Sequence, residues 1–361
     1  MVSIAAVISG LGASLPERVV SNEDLAASLD TSDAWIRSRT GIVRRRMVEP
    51  GTSTGDLAVA AGRAALSSAG SSADFVLLAT TPDQPCPATA PQVAHRLGLE
   101  GVPVLDVSAV CSGFGYALAL ARALVASGAC SRPLVIGAET YTSIVNQLDR
   151  DTAVIFGDGA GAVLLHEGDS TEPGAIHALD LGSDGAGSGL IEIAAGGSRC
   201  PRTGGALSCE QRYFRMRGRE VYGQAVRRMA TSVRTVLARA GWSNQSIRAF
   251  IGHQANQRIL DAVSDRLGVE TNYRFGNIAE VGNTAAASIP LAMADTTARR
   301  LVRPGARTIL MAFGGGLTWG SVALSWPDAL PVHLPPQHPP ARQNIPAPPD
   351  GTVPGTRSTP L

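Results

Sequence analysis

Residues 112–127 read Ser-Gly-Phe-Gly-Tyr-Ala-Leu-Ala-Leu-Ala-Arg-Ala-Leu-Val-Ala-Ser, and this run constrains the fold more than any other. A helix that is apolar or small almost all the way round has no face for solvent, so it is buried on every side. Small residues let such a helix sit tightly between two sheets. Gly128 is placed to stop it. The apolar strand 102–108 leads into it, and Cys111 stands at the join. A chain built around this element has to supply layers on both sides of it.

The remaining sequence supplies them. Residues 4–12, 74–80 and 133–138 are short apolar runs ending in turn residues, as strands covered on both faces are. Helical stretches fall at 55–69 and 112–127. The second half repeats the scheme, with a strand at 248–252, a helix at 257–267 carrying apolar residues at 259, 260, 263 and 267, and strands at 307–313 and 319–324. The alternation predicts a layered α/β fold. Two similar series suggest duplicated halves, 1–170 and 171–326. Beyond Trp326 the character changes: residues 327–361 hold 11 of the 23 prolines and show no hydrophobic period. Such a segment buries too little apolar surface to offset chain entropy, so a disordered tail is expected, with a docking role as the other reading.

Net charge is +1 with no basic block, which gives no reason to expect a nucleic-acid partner. No apolar run reaches about 18 residues, so no membrane span is implied. The start, Met1 to Ala5, has no basic leader, and the cytoplasm is the expected compartment. The five cysteines (86, 111, 130, 200 and 209) include no CxxC or Cys/His cluster. Neither a disulfide framework nor a metal site is expected.

Three residues carry the candidate chemistry. Cys111 opens the buried helix, where unpaired backbone N–H groups and the positive dipole end would favour a thiolate, lower the thiol pKa and hold an oxyanion. A structural core cysteine is the alternative. His253 lies in Ile251-Gly-His-Gln-Ala-Asn256, between a strand end and a helix, where ligands collect in α/β sheets. Asn283, in Val281-Gly-Asn-Thr-Ala-Ala-Ala-Ser288, is either a helix cap or a neutral amide donor for an oxyanion. The glycine runs Phe156-Gly-Asp-Gly-Ala-Gly161 and Phe313-Gly-Gly-Gly-Leu-Thr-Trp-Gly320 do not fit the GxxxxGK[ST] phosphate loop. They suit close approach of backbone to backbone or to substrate.

Taken in order, Thr31-Ser-Asp-Ala-Trp-Ile-Arg-Ser-Arg-Thr-Gly-Ile42, Asp106-Val-Ser-Ala-Val-Cys-Ser-Gly-Phe114, the stretch from Phe156, His253-Gln-Ala-Asn256, Gly282-Asn-Thr284 and Phe313-Gly-Gly-Gly316 resemble the β-ketoacyl-acyl-carrier-protein synthase III family over residues 1–326. The resemblance implies a thiolase-like duplicated αβαβα five-layer fold with a buried central helix. It implies a Cys111–His253–Asn283 site, in which the cysteine takes an acyl group from acyl-CoA and malonyl-acyl carrier protein then condenses with loss of CO2. His253 and Asn283 would steady the enolate, and the N–H groups of Cys111 and Gly315 would form the oxyanion hole. Acyl-CoA is then a substrate and no cofactor is implied. A homodimer and a starter-forming role in fatty-acid or polyketide synthesis are implied too.

The same resemblance maps the CoA mouth onto Trp35, Arg39, Arg150 and Asn256, with Thr31, Met216 and Gly218 nearby, and the acyl pocket onto Cys86 and Phe313. Trp35 and an arginine can sandwich an adenine. Some positions depart from the family: Val281 stands where an aromatic or His is common, Ala285 replaces a frequent Ser, Gly223 stands where a basic residue is common, and 82–87 looks shortened. The small Cys86 suggests a primer larger than acetyl. One alternative is a thiolase-fold acyltransferase passing the acyl group to a hydroxyl, amine or carrier thiol, but such relatives tend to lose the Asn or alter the His. A non-catalytic partner subunit would usually lose the cysteine. Hydroxymethylglutaryl-CoA-type synthesis needs a carboxylate base, for which no acidic residue stands in a matching motif.

Overall fold

The computed structural model describes residues 4–81, 86–201 and 207–336. Its two large sheets are built in chain order from β1 (Ile4–Ser14), β2 (Phe75–Thr80), β3 (Val104–Val107), β4 (Pro133–Glu139), β5 (Gly159–Asp169), β6 (Ile176–Ser183), β7 (Ala249–Gly252), β8 (Arg307–Gly314), β9 (Thr318–Ser325) and β10 (Val332–His333). One sheet has the order β10-β1-β5-β4-β2-β3 and the other β7-β8-β9-β6. β2 runs parallel to β3 and β4, and β7 parallel to β8, whereas β5 is antiparallel to both β1 and β4.

Helices α1 (Thr54–Ala69), α2 (Gly113–Ala126), α3 (Gly218–Ala240), α4 (Gln257–Leu267) and α5 (Ser288–Ala298) complete five layers. α1 covers the outer face of the first sheet, α2 and α5 lie between the sheets, and α3 covers the second with α4 beside it. Local sequence explains the ends. Ser53 and Asp56 form a reciprocal cap at the start of α1, and Gly70 closes it in the left-handed conformation. α1 lies so close to β1 that a Cβ at Gly12 would come within 2.2 Å of the Ala61 carbonyl oxygen. β2 and β4 are continuous buried apolar runs, as expected of parallel strands covered on both faces.

α2 is the central helix, with Phe114, Ala117, Leu118, Ala121 and Val125 buried in the core. Burial on every side does not hold for the single chain, however. Leu120 is 39% exposed, as is Leu105 (46%) on β3, the edge strand of the first sheet. Gly128 sits just past the helix end with φ +71°. The tail expectation is corrected for its first residues, because Val332 and His333 pair with Gly12 and Ala13. Residues 337–361 of that tail, and 82–85 of the shortened stretch, lie outside the described residues. β5, β6 and the 23-residue α3 were not foreseen. β5 begins in the glycine run after Phe156 and so lacks a strand-like composition there.

Candidate active site

Cys111 sits in a single tight turn, Val110–Ser112, between β3 and α2. Val110 has φ +47°, a costly conformation for a β-branched residue and one that turns the chain sharply at Cys111. The turn is tied to the second sheet. Ser112 Oγ donates to the Ala109 carbonyl at 2.8 Å and lies 2.7 Å from Thr318 Oγ1, which in turn donates to the Gly315 carbonyl at 2.9 Å. A Cβ on Gly314 would stand 2.9 Å from the Cys111 amide nitrogen, so the glycine run lets the β8 end close over that N–H. Gly315 follows it and packs against Ile191.

His253 follows β7 directly, its backbone N–H bonded to the Met311 carbonyl at 2.7 Å. Its ring Nδ1 lies 2.7 Å from Ser288 Oγ at the start of α5, and the Gln254 N–H donates to that same oxygen at 3.3 Å. Both side chains are buried. A serine oxygen accepting from two donors would leave its own proton with no acceptor in a dry interior. The consistent arrangement has Ser288 donating to Nδ1, which puts the ring proton on Nε2. Nε2 is itself buried without a protein partner. Burial holds the His253 pKa down at about 3, against a weaker opposing pull from the Ala285 backbone, so the ring is neutral.

Asn283 is fixed through its backbone: its N–H reaches the Ile155 carbonyl at 2.9 Å and its carbonyl accepts the Gly157 N–H at 3.0 Å. A Cβ on Gly157 would lie 2.3 Å from the Val281 oxygen, so the glycine run starting after Phe156 serves close backbone approach, as its composition suggested. The side-chain Oδ1 accepts from the Ala285 N–H at 2.9 Å, which leaves Nδ2 to donate. The buried Arg45 supports this junction, bonding the Val20 and Val154 carbonyls and Asn22.

Cys111, His253, Asn283, Met216 and Phe313 line one narrow cavity of about 40 Å³ with Phe156 and Phe214. Wider depressions beside α4 and beside Pro335 hold none of the expected site residues. One expectation is corrected: the thiol of Cys111 is raised, not lowered. Burial is the larger cause and the Glu139 carboxyl the next, while the residue's own backbone N–H acts weakly the other way. Desolvating a thiolate outweighs the help from a helix start.

The guanidinium of Arg150 lies over the Trp35 ring, 4.4 Å from its centroid, and also 3.5 Å from Asp30. Trp35 belongs to the same apolar cluster as Cys111 and Met216. Asn256 Oδ1 caps α4 through the Arg258 N–H, and its Nδ2 bonds the Arg39 carbonyl, both at 2.9 Å. Thr31 has its hydroxyl buried without a partner, and Gly218 opens α3. Cys86 is exposed in the single chain and is not brought to the cavity. Sequence reasoning did not single out Ser288, Arg45 or Glu139. The one available signal was an acidic residue closing the apolar run Pro133–Glu139.

Fold and site together define a thiolase-fold condensing enzyme. Family models described as 3-oxoacyl-[acyl-carrier-protein (ACP)] synthase III and its C-terminal part match residues 105–185 and 237–326. The chain is 55% identical over 329 residues to β-ketoacyl-[acyl-carrier-protein] synthase III 2 of Streptomyces coelicolor, covering 91% of this chain and 96% of that protein. It is 51% identical over 330 residues to β-ketoacyl-[acyl-carrier-protein] synthase III of Pseudomonas aeruginosa, covering 91% and 98%. The crystal structure of the Pseudomonas aeruginosa PAO1 synthase superposes with a TM-score of 0.84 at 49% identity, covering 91% of this chain and all of that one. A priming β-ketosynthase from the R1128 polyketide pathway gives 0.82 at 32% identity, covering 90% and 97%. The chain belongs to the β-ketoacyl-acyl-carrier-protein synthase III family, and it is an enzyme of the acyltransferase class.

Proposed function

We propose that the protein forms starter units by decarboxylative condensation of an acyl-CoA primer with malonyl-acyl carrier protein, through an acyl group carried on Cys111. The observation that carries this reading is that Cys111, a neutral His253 and the free amide donor of Asn283 line one cavity. The Cys111 sulfur attacks the thioester carbonyl, the N–H groups of Cys111 and Gly315 hold the oxyanion, and CoA leaves with the thiol proton. Malonyl thioester then loses CO2, and the electrons of the broken C–C bond form an enolate. His253 Nε2–H and Asn283 Nδ2–H stabilise its oxygen without protonating its carbon. The carbanion attacks the acyl-cysteine, and the sulfur leaves to be reprotonated. No cofactor enters this scheme.

The nearness of Arg150 to the Trp35 ring supports adenine binding at the mouth once the guanidinium gives way to the base; Met216 lines the cavity, and Arg39, Thr31, Gly218 and Asn256 are the further CoA contacts that the family resemblance implies. Asn256 would act there mainly by tying Arg39 to α4. The halves 1–170 and 171–326 would contribute Cys111 and the His253–Asn283 pair respectively. A homodimer is supported by the exposed Leu120 of α2 beside the open edge strand β3, a combination that single chains rarely leave uncovered. The dimer would also give Cys86 a route to a neighbouring acyl pocket and, with Phe313, set a primer larger than acetyl. Among the described residues no helix is long and apolar enough to cross a membrane. A cytoplasmic location would keep the thiols reduced.

The test is to incubate the protein with a panel of acyl-CoAs, read the intact mass, and then add malonyl-acyl carrier protein. One acyl group that loads, is lost in Cys111→Ala and is consumed with CO2 release supports condensation and names the primer. Strict preference for acetyl-CoA rejects the larger primer. Loading without any response to malonyl-acyl carrier protein rejects condensation in favour of acyl transfer.

A further inference from the structure

One wholly buried cation lies among the segments that build both ends of the site. Arg45 has no exposed surface. It stands on the short strand Arg44–Arg46, opposite Val20 of the strand Val19–Ser21. A guanidinium out of water is costly unless its donors are used. Here they go to neutral groups. Nη1 donates to Asn22 Oδ1 at 2.8 Å and to the Val20 carbonyl at 3.3 Å, and Nη2 donates to the Val154 carbonyl at 2.7 Å.

Two of these acceptors lead to the mouth of the site and one of them onward to Asn283. Asn22 is itself fully buried, and its Nδ2 donates to Asp33 Oδ1 and to the Ile42 carbonyl, both at 2.8 Å. Asp33 opens the helix Asp33–Thr40, which carries Trp35 and Arg39. Val154 caps the C-terminal end of the one-turn helix Arg150–Ala153, whose first residue lies over the Trp35 ring. The next carbonyl along the chain, that of Ile155, accepts the Asn283 N–H at 2.9 Å. The stem of Arg45 completes the arrangement. A Cβ on Gly157 or on Gly282 would stand 3.1 Å from the Arg45 Cβ, so the stem packs against both stretches of backbone that fix Asn283.

We propose that Arg45 is a positioning residue that sets two things at once: the alignment of Trp35 with Arg150 at the nucleotide mouth, and the placement of Asn283 at the cavity, which Arg45 itself does not line. The inference rests on the condensing function proposed above. Two substitutions separate its arms. Lysine at 45 keeps the charge but has a single nitrogen, which cannot reach Asn22 and Val154 as the two ends of the guanidinium do. It therefore loosens both the mouth and the Asn283 junction. Alanine at 22 removes only the path to Asp33 and leaves Nη2 on the Val154 carbonyl.

The experiment measures loading of Cys111 from the acyl-CoA that the panel selects and from the matching acyl-pantetheine, which has the same reacting end and no nucleotide. CO2 release from malonyl-acyl carrier protein is followed beside it. Arg45→Lys should raise KM for acyl-CoA by about fivefold and leave loading from acyl-pantetheine within about twofold, because only the nucleotide uses the Trp35–Arg150 pair. It should also slow CO2 release by about tenfold, as a displaced oxyanion donor does. Asn22→Ala should give the same split between the two thioesters with CO2 release within about twofold. A loss of folded protein or a merely structural role changes both thioesters by one factor. That result in either variant, or CO2 release that falls as far in Asn22→Ala as in Arg45→Lys, overturns the proposal. If Arg45→Lys fails to fold, the thioester split in Asn22→Ala decides alone. A wild type that loads and releases CO2 keeps the condensing function whichever way the variants fall, and one that does neither removes that function and this inference with it.

Discussion

Replacing Ser288 with alanine isolates what the His253 ring contributes. The hydroxyl serves two buried groups, Nδ1 of His253 at 2.7 Å and the Gln254 N–H at 3.3 Å. A buried polar group left without a partner costs about 1–3 kcal/mol, so leaving both unpaired costs about 2–6 kcal/mol. For a chain of this size that lowers Tm by roughly 4–12 °C. The catalytic effect is separate. With Ser288 present, the ring proton is placed on Nε2 and points into the cavity; without it, the proton can move to Nδ1 and the enolate loses a donor for part of the time. Losing an oxyanion donor outright costs about 10²–10³ in rate, and the fall tracks the fraction of rings that keep Nε2–H, so about tenfold is expected with Nδ1–H as the dominant tautomer. Loading of Cys111 does not use this donor and should stay within about threefold. Intact mass measures loading in single turnover, and CO2 release from malonyl-acyl carrier protein measures the second half. Equal falls in both steps would mark Ser288 as merely structural, and unchanged CO2 release would refute the argument about the donor.

Trp35→Ala should raise KM for acyl-CoA by about 5–10-fold with kcat within about twofold, because a stacked cation–π contact at a site mouth contributes about 1 kcal/mol of uniform binding. Because burial holds His253 at about 3, kcat/KM should show no acid limb from this residue between about pH 5 and 7, and a limb near pH 6.5 that disappears in His253→Gln would contradict the burial argument. Glu139, raised to about 8 from an ordinary value near 4.5, binds more protons folded than unfolded across that window. Its stabilising effect is therefore full below about pH 4.5 and lost as pH rises towards 8, so wild type should lose urea stability relative to Glu139→Gln between pH 5 and 8. Gly157→Ala brings a Cβ to 2.3 Å from the Val281 oxygen and should cost about 1–3 kcal/mol in urea unfolding while slowing condensation more than loading, since the same turn holds Asn283.

The strands at 75–80 and 133–139, the helices at 54–69, 113–126 and 257–267 and the hairpin 307–325 were legible because their periodicity and end signals are local. β5 was not, because its first residues include Gly159 and Gly161, which are needed for close contact with Leu291 and Pro290 in another part of the chain. Nor was the pairing of His333 with Ala13, since a proline-rich composition argues against structure and only the free edge of β1 overrides it.

What the sequence determined by itself is the layered α/β architecture and the place of Cys111, because a helix apolar almost all round has to be covered on most of its surface and its first residues must meet whatever lies at the strand ends. The identity of His253 and Asn283 as candidates came from motif order, which is also written in the chain. The tertiary structure alone decided the protonation of the site: a thiol raised by burial and Glu139, an imidazole held neutral and oriented by Ser288, and an amide aimed by Ala285. Desolvation and hydrogen-bond direction depend on the atoms packed around each group, Ser288 coming to His253 from 35 residues further along the chain, and no local pattern of sequence carries that information.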